Sequence, residues 1–391
     1  MVALLHFLLL WFSIPSRQEN KLVLEPFLAK LGVSGEQVRI AWFGDSGVEA
    51  DLITQTIRDS LQKWYGGRGV GFVPILSRAP GYRRSVGHRF SGNWNWESLE
   101  PAATYRRNLG IAGHGFYTYR YPAQPDEAPW VQFTGSSLSP RTDSFPTLRL
   151  FYGRNPTGST RASVAFRTEQ ITGTATLLDT ALLNEVVLHN QAVRQVRIQA
   201  FLPPDLPLYG LSMESPDGLI LDNFSLRGLD GPRLTRIPLS MLAAFHQNLG
   251  YDLLVFQFGL NVLGPTQTDY RWYELRLMRL IQHFQQAFPG IPILIVGPPD
   301  KCNGPAGTKV SNPGLPYLTS AMASAAKKGN AAFFSLAEAM GGPGSMKRWV
   351  EKERPPLAAS DYTHFTFAGA ERAAQLILPL FQKPQGTQVT F

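Results

Sequence analysis

Two short segments at opposite ends of the chain hold residue types that can do nucleophilic chemistry together: Phe43-Gly44-Asp45-Ser46 and Asp361-Tyr362-Thr363-His364. A serine hydroxyl needs a neighbouring base to act as a nucleophile at neutral pH, and a histidine base needs a carboxylate to fix its tautomer. Ser46 can supply the hydroxyl, His364 the base and Asp361 the carboxylate. Two more residues could serve the anion that such an attack creates. Asn261, in Gln257-Phe258-Gly259-Leu260-Asn261, can donate a side-chain N–H. Gly228, in Arg227-Gly228-Leu229-Asp230-Gly231, can aim a backbone N–H from a turn that glycine alone permits. Each piece by itself also has a plain structural reading. Asp45 and Ser46 are good helix caps, an Asp or Thr could cap the last helix, and Asn261 and Gly228 are common turn residues.

The elements that must bring these pieces together are legible as alternating strands and helices. Val38–Phe43 is an apolar run suited to a buried parallel strand, and Ala50–Tyr65 repeats apolar residues at helical spacing. The same alternation resumes late in the chain. Strands are expected at Leu219–Leu226, Leu253–Phe258, Ile293–Val296 and Ala332–Leu336. Helices are expected around Ser240–Asn248 and over Tyr270–Phe288, Pro316–Lys328 and Phe367–Phe381. Units of this kind in series predict an α/β fold, a doubly wound parallel sheet with helices on both faces. Ser46, Gly228 and Asn261 then sit just past strand ends, where such folds bind ligands.

Between Ser77 and Pro204 the alternation stops. Short β-like runs such as Thr147–Tyr152, Ser163–Arg167, Thr174–Leu178 and Val193–Phe201 are separated by turn residues. That pattern predicts an all-β sandwich or jelly roll inserted into the α/β domain. The expected organisation is 22–76 for the first part of the α/β domain, 77–205 for the insertion and 206–385 for the second part. Residues 1–16 open with the apolar run Met1–Phe12, too short to span a bilayer and similar to the core of a secretory signal, so export to the periplasm or cell envelope is expected.

Composition narrows the remaining classes. The chain has 391 residues, 44% of them apolar and 17% charged, as in a globular protein with a large core. Its net charge of +8 favours anionic surroundings, yet the arginines are scattered and no nucleic-acid motif is present. One cysteine, Cys302, rules out an intramolecular disulfide and a cysteine-rich zinc site. No cluster with metal-ligand spacing is visible, so no metal or cofactor is expected. Gly67-Arg68-Gly69-Val70-Gly71 imitates a phosphate loop but follows a helix, the wrong context for dinucleotide binding. Trp94, Trp96 and Trp130 in the insertion could stack on sugar rings or fill the core.

Taken in order, Gly44-Asp45-Ser46, Gly228, Gly259-Leu260-Asn261 and Asp361-Tyr362-Thr363-His364 resemble the SGNH subgroup of the GDSL esterase/lipase superfamily. The stretch from Ser46 to Phe72 resembles the bacterial peptidoglycan O-acetylesterases, exported enzymes whose hydrolase domain is interrupted by a sandwich like a carbohydrate-binding module. The resemblance covers nearly the whole chain after the leader, with four specific blocks. It implies Ser46 as nucleophile, His364 as general base and Asp361 as its orienting partner. The oxyanion hole would be the Ser46 and Gly228 amides with the Asn261 side chain. Gly47 departs from the pattern, since many relatives carry His or Leu there. The function implied is removal of O-acetyl groups from a cell-envelope glycan, most plainly peptidoglycan. Acetyl transfer by the same triad, or sugar binding without catalysis, are the rival readings.

Overall fold

The computed structural model describes residues 17–101, 109–154, 162–305 and 308–383. The signal-like segment 1–16 and the last two residues of the expected second part, 384–385, lie outside the described residues. Helix α1 (Arg17–Lys30) leads into strand β1 (Gln37–Gly44), and α2 (Thr54–Tyr65) follows. Eleven strands come next: β2 (Gly69–Pro74), β3 (Val86–Phe90), β4 (Trp94–Ser98), β5 (His114–Thr118), β6 (Trp130–Gly135), β7 (Thr147–Gly153), β8 (Ser163–Thr168), β9 (Thr172–Thr176), β10 (Leu183–His189), β11 (Gln195–Phe201) and β12 (Leu208–Glu214). The α/β alternation then resumes with β13 (Gly218–Ser225), α3 (Leu239–Leu249), β14 (Leu253–Gln257), α4 (Arg271–Ala287) and β15 (Ile293–Val296). The chain ends with β16 (Cys302–Asn303), β17 (Val310–Ser311), α5 (Leu315–Lys328), β18 (Ala332–Phe334), α6 (Leu336–Ala339), α7 (Ser345–Glu351) and α8 (Phe367–Ile377).

The parallel sheet runs β13-β1-β14-β15-β18. Its first strand lies between the second and third, the flavodoxin-like order, so the strand order reverses at β1. Alternation along β1 explains the three layers. Val38, Ile40 and Trp42 enter one core with Phe27, Ile57, Leu61 and Ile377. Ala41 and Phe43 enter the opposite core with Phe245, Leu280, Phe284 and Met322. Phe43 anchors the strand below the site, its ring 5.1 Å from Phe224, 5.3 Å from Phe256 and 5.2 Å from Phe284. Aromatic pairs of this kind add about 0.5–1.5 kcal/mol each beyond the area they bury.

The β-rich segment forms two antiparallel sheets. One runs β10-β7-β12-β5-β4, with β2 added on β12, and the other runs β3-β6-β11-β8-β9. A shared core of Val73, Phe133, Leu150, Val164, Ile198 and Leu211 fills the space between them. Strands β2 and β12 flank the segment and pair with each other. The six-stranded sheet is buried on its other face too, because Phe72, Phe151 and Tyr209 join the α/β core. The Gly67–Gly71 stretch permits this approach. Gly71 has φ +73, and a Cβ there would overlap the Asp222 carboxylate of β13. The glycines thus serve strand crossing, and Arg68 pairs with Asp143 at 2.9 Å.

Candidate active site

Each predicted site residue except His364 and Asp361 lies just past a strand of the parallel sheet. Ser46 follows β1, Gly228 follows β13 and Asn261 follows β14, at the reversal of strand order where α/β sheets hold their ligands. Gly44 makes the exit from β1 tight, since a Cβ there would overlap the Val48 side chain. Neither Asp45 nor Ser46 caps a helix. Helix α2 starts only at Thr54, after Ala50 and Asp51 take φ of 58° and 65°. These left-handed residues hold strain, and the buried ion pair between Asp51 and Arg58 at 2.5 Å holds them in place.

The loop before α8 shapes the other half. Tyr362 has φ 57°, which curls Asp361 back on its own turn. Asp361 Oδ1 accepts from the Thr363 and His364 amides at 2.9 and 3.0 Å, and Oδ2 accepts from His364 Nδ1 at 2.7 Å. A carboxylate can only accept, so the imidazole proton sits on Nδ1 and Nε2 is left as the acceptor. His364 Nε2 lies 3.2 Å from Ser46 Oγ. Partial burial pushes the Asp361 carboxyl up, but the His364 ring and the two amides outweigh it and hold the carboxyl below its usual range. Thr366, not Asp361, caps α8 by accepting from the Gly369 amide at 3.2 Å. The structure therefore brings Ser46, His364 and Asp361 into one hydrogen-bonded line from positions more than 300 residues apart.

The donors for an oxyanion are arranged less simply. Among the described residues, the backbone N–H groups of Ser46 and Gly228 have no hydrogen-bond partner. Gly228 adopts φ 74°, a conformation that suits glycine. Asn261 Nδ2 donates to Asp45 Oδ2 at 3.0 Å and to Leu229 O at 3.1 Å. Both amide hydrogens are thus engaged, so donation to a substrate requires exchange of one of these bonds.

Sequence reasoning saw Asp45 only as a cap. The structure makes it a buried carboxylate that accepts from Gly47 N–H at 2.8 Å and from Asn261. Burial pushes its carboxyl up to about 6, against the opposing effects of the Gly47 amide, nearby His364 and Asn261. Only its position beside the serine could have flagged it. Two further contacts fix the Gly228 loop: Arg227 pairs with Glu49 at 2.6 Å, and Tyr273 Oη donates to Asp230 O at 2.8 Å.

The other histidines stand apart. Burial pushes His88 down to about 3 and His114 down to about 4, so both are neutral. Trp94 belongs to the sandwich core. The Arg78 guanidinium lies 4.4 Å from the Trp96 ring and that of Arg197 lies 3.9 Å from the Trp130 ring. Among the described residues, no group of three or more His, Cys, Asp or Glu side chains is placed to hold a metal ion.

Residues 214–372 match the GDSL-like Lipase/Acylhydrolase family. The chain carries a GDSL-like hydrolase domain. The match spans Gly228, Asn261, Asp361 and His364, while Ser46 lies upstream, beyond the sandwich. A solved structure of a peptidoglycan O-acetylesterase superposes with a TM-score of 0.69 at 22% identity, covering 90% of this chain and 94% of that one. The likeness therefore extends to the sandwich as well as to the GDSL domain, and at that identity it establishes the fold. A family two carbohydrate esterase from Clostridium thermocellum aligns at 10% identity with a TM-score of 0.31, over 67% of this chain and 96% of that one. No curated protein matches the chain in sequence. A GDSL domain with a serine, a histidine and an aspartate in hydrogen-bond sequence makes the chain a serine esterase.

Proposed function

We propose that the protein removes O-acetyl groups from a cell-envelope glycan, with peptidoglycan as the substrate, through an acetyl-Ser46 intermediate. The observation that carries this reading is the line from Ser46 Oγ to His364 Nε2 at 3.2 Å and from Nδ1 to Asp361 at 2.7 Å. Fold likeness to a peptidoglycan O-acetylesterase across both regions supports the choice of substrate.

In the proposed cycle, His364 Nε2 takes the Ser46 proton as Oγ attacks the acetyl carbonyl. Charge on the carbonyl oxygen falls to the free Ser46 and Gly228 amides, with Asn261 joining when it gives up one present bond. The imidazolium, stabilised by Asp361, then protonates the departing sugar oxygen. Water repeats the sequence on acetyl-Ser46, releasing acetate and restoring the hydroxyl. Beside His364 lies a depression of about 10 Å³ lined by Asp45, Gly47, Leu260 and Pro298. That is room for a methyl group or a water, and it suits acetyl as the group removed. His364 and Asp361 are 46% and 50% exposed, which supports water as acceptor.

No described helix is long and apolar enough to cross a membrane. Placement of the enzyme at the cell envelope follows from the proposed substrate. The test is acetate release from O-acetylated peptidoglycan against the same material chemically de-O-acetylated. Acetate from the first alone, lost in Ser46→Ala, is the expected result. Acetyl recovered on an added glycan in place of free acetate would make the enzyme a transferase, and release unchanged in Ser46→Ala would remove the nucleophile.

A further inference from the structure

A second concave site lies beside the Gly228 loop, and four of its seven lining residues are arginines. It measures about 290 Å³, and Arg233, Arg236, Arg276 and Arg279 line it together with Thr235 and Asp230. The first two arginines come from the 3₁₀ turn Pro232–Arg236, and the other two lie one turn apart on α4. Four guanidinium groups around one small groove repel one another, and little nearby offsets them. Asp230 is the only acid in the lining; it meets Arg276 at 4.0 Å and also accepts from the Arg233 amide at 3.2 Å. Among the described residues, Arg236 and Arg279 have no ion-pair partner, and both are exposed. Packing does not require this convergence, because Arg276 and Arg279 are exposed and α4 packs through other residues, Tyr273, Leu277 and Leu280 among them. A concentrated positive field at an open groove attracts oxyanions.

Location says which oxyanion. Asp230 stands two residues past Gly228, and the intervening Leu229 carbonyl accepts from Asn261. The groove is therefore built from the same loop that borders the ester site. At the rim, the Trp272 ring is 41% exposed, with the Arg276 guanidinium 5.6 Å from its centre, a flat surface suited to a sugar ring. We infer that this groove is a subsite for carboxylate groups carried by the glycan next to the acetylated sugar, so that the enzyme selects acidic acetylated glycans over neutral ones. The inference rests on the proposed glycan esterase activity and assigns it a specificity.

The experiment uses the whole enzyme and the double variant Arg236→Gln/Arg279→Gln. Its readout is kcat/KM on O-acetylated, carboxylate-bearing peptidoglycan fragments, divided by kcat/KM on 4-nitrophenyl acetate. The double variant should lower this ratio about tenfold through KM, as expected for loss of charge-assisted hydrogen bonds at an open site. Amidating the fragment carboxyls should lower the wild-type ratio to the same level. An unchanged ratio in the variant, or an equal loss on amidated and free fragments, would overturn the subsite. Binding of de-O-acetylated acidic fragments to Ser46→Ala separates this inference from the activity beneath it, because no turnover is needed. Binding that the two Gln substitutions weaken supports the groove even if no acetate is released. Displacement of the fragments by millimolar inorganic phosphate is compatible with an oxyanion site, but phosphate binding tighter than the fragments would overturn the choice of glycan.

Discussion

Strand β1 carries a cluster of ionisable groups at each end, and the two are built on opposite principles. Near its start, Arg39 is fully buried and donates to Asp222, Glu214 and Ser212 at 2.6–3.1 Å. Tyr251 Oη donates to Asp222, and Arg149 donates to Glu214 at 2.7 Å. Every charge there is countered, and the cluster ties β1 and β13 to β12 of the sandwich. Past the other end of the strand, Ser46, His364 and Asp361 form a line whose two titratable members are about half exposed. The Ser46 and Gly228 amides there have no partner among the described residues. Saturated charge in a dry setting holds two regions together; unsaturated donors at an open setting are left for a substrate.

The sharpest way to break this contrast is to delete the base. His364→Ala should lower kcat on a small acetyl ester by about 10⁴-fold, or about 5 kcal/mol of transition-state stabilisation, with little change in melting temperature. Activity retained within tenfold would mean that the open end of β1 is not catalytic.

Arg39→Met attacks the other end. Removing the cation leaves Asp222 buried without its main partner, and loss of one member of a buried pair costs about 3–5 kcal/mol. Denaturant unfolding at pH 7 should show that loss, while kcat per folded molecule stays within about twofold. A variant as stable as wild type would show that the cluster does not join the regions.

Asn261→Ala sits between these extremes, since its amide is both structural and positioned for chemistry. If it shifts a bond to the oxyanion during turnover, kcat should fall about 100- to 1,000-fold, or 2.7–4 kcal/mol. A loss below threefold, with reduced stability, would confine Asn261 to holding Asp45 and Leu229.

The open end was far more legible in the sequence than the closed one. Ser46, Gly228, Asn261 and Asp361-x-x-His364 are local signals, each at a strand-to-helix junction whose period can be read directly. Helix α4, expected over Tyr270–Phe288, runs Arg271–Ala287 for the same reason. Helix α2 was expected from Ala50 but starts at Thr54, because Asp51 turns inward to Arg58 and the left-handed backbone it needs leaves no periodic trace. The partnership of β2 with β12 was not legible either. Their pairing joins residues about 140 positions apart, and β12 (Leu208–Glu214) has no alternation, being buried on both faces. The Arg39 cluster was invisible on the same ground: a charged residue inside an apolar run names no partner until the topology does. At the site itself, nothing local showed that both hydrogens of Asn261 are already engaged.

The finest test of the comparison lies in pH, through Asp45. Its carboxyl is pushed up to about 6 by burial, above the value near 3.9 expected when unfolded. A raised carboxyl favours the protonated folded form, so its contribution to stability is complete below about pH 4 and is lost as pH rises through 6. At one unit per 1.36 kcal/mol, the loss by pH 7 is at most about 3 kcal/mol. The groups facing Asp45 are the Gly47 amide, the Asn261 amide and His364, and none of them fully offsets the burial. Asp45→Asn cannot titrate, so the fall in stability between pH 4 and pH 7 should shrink relative to wild type. Comparing each protein with itself at the two pH values cancels any fixed cost of the new amide against Asn261. The Arg39 end adds a slope of the opposite sign, confined to the lower part of that range, because burial opposes but Arg39 and Arg149 hold the Glu214 carboxyl below its usual value. An identical slope in Asp45→Asn would mean that the Asp45 carboxyl titrates alike folded and unfolded, and a steeper fall would mean that it is paired as Glu214 is; either result would overturn the contrast between the two ends of β1.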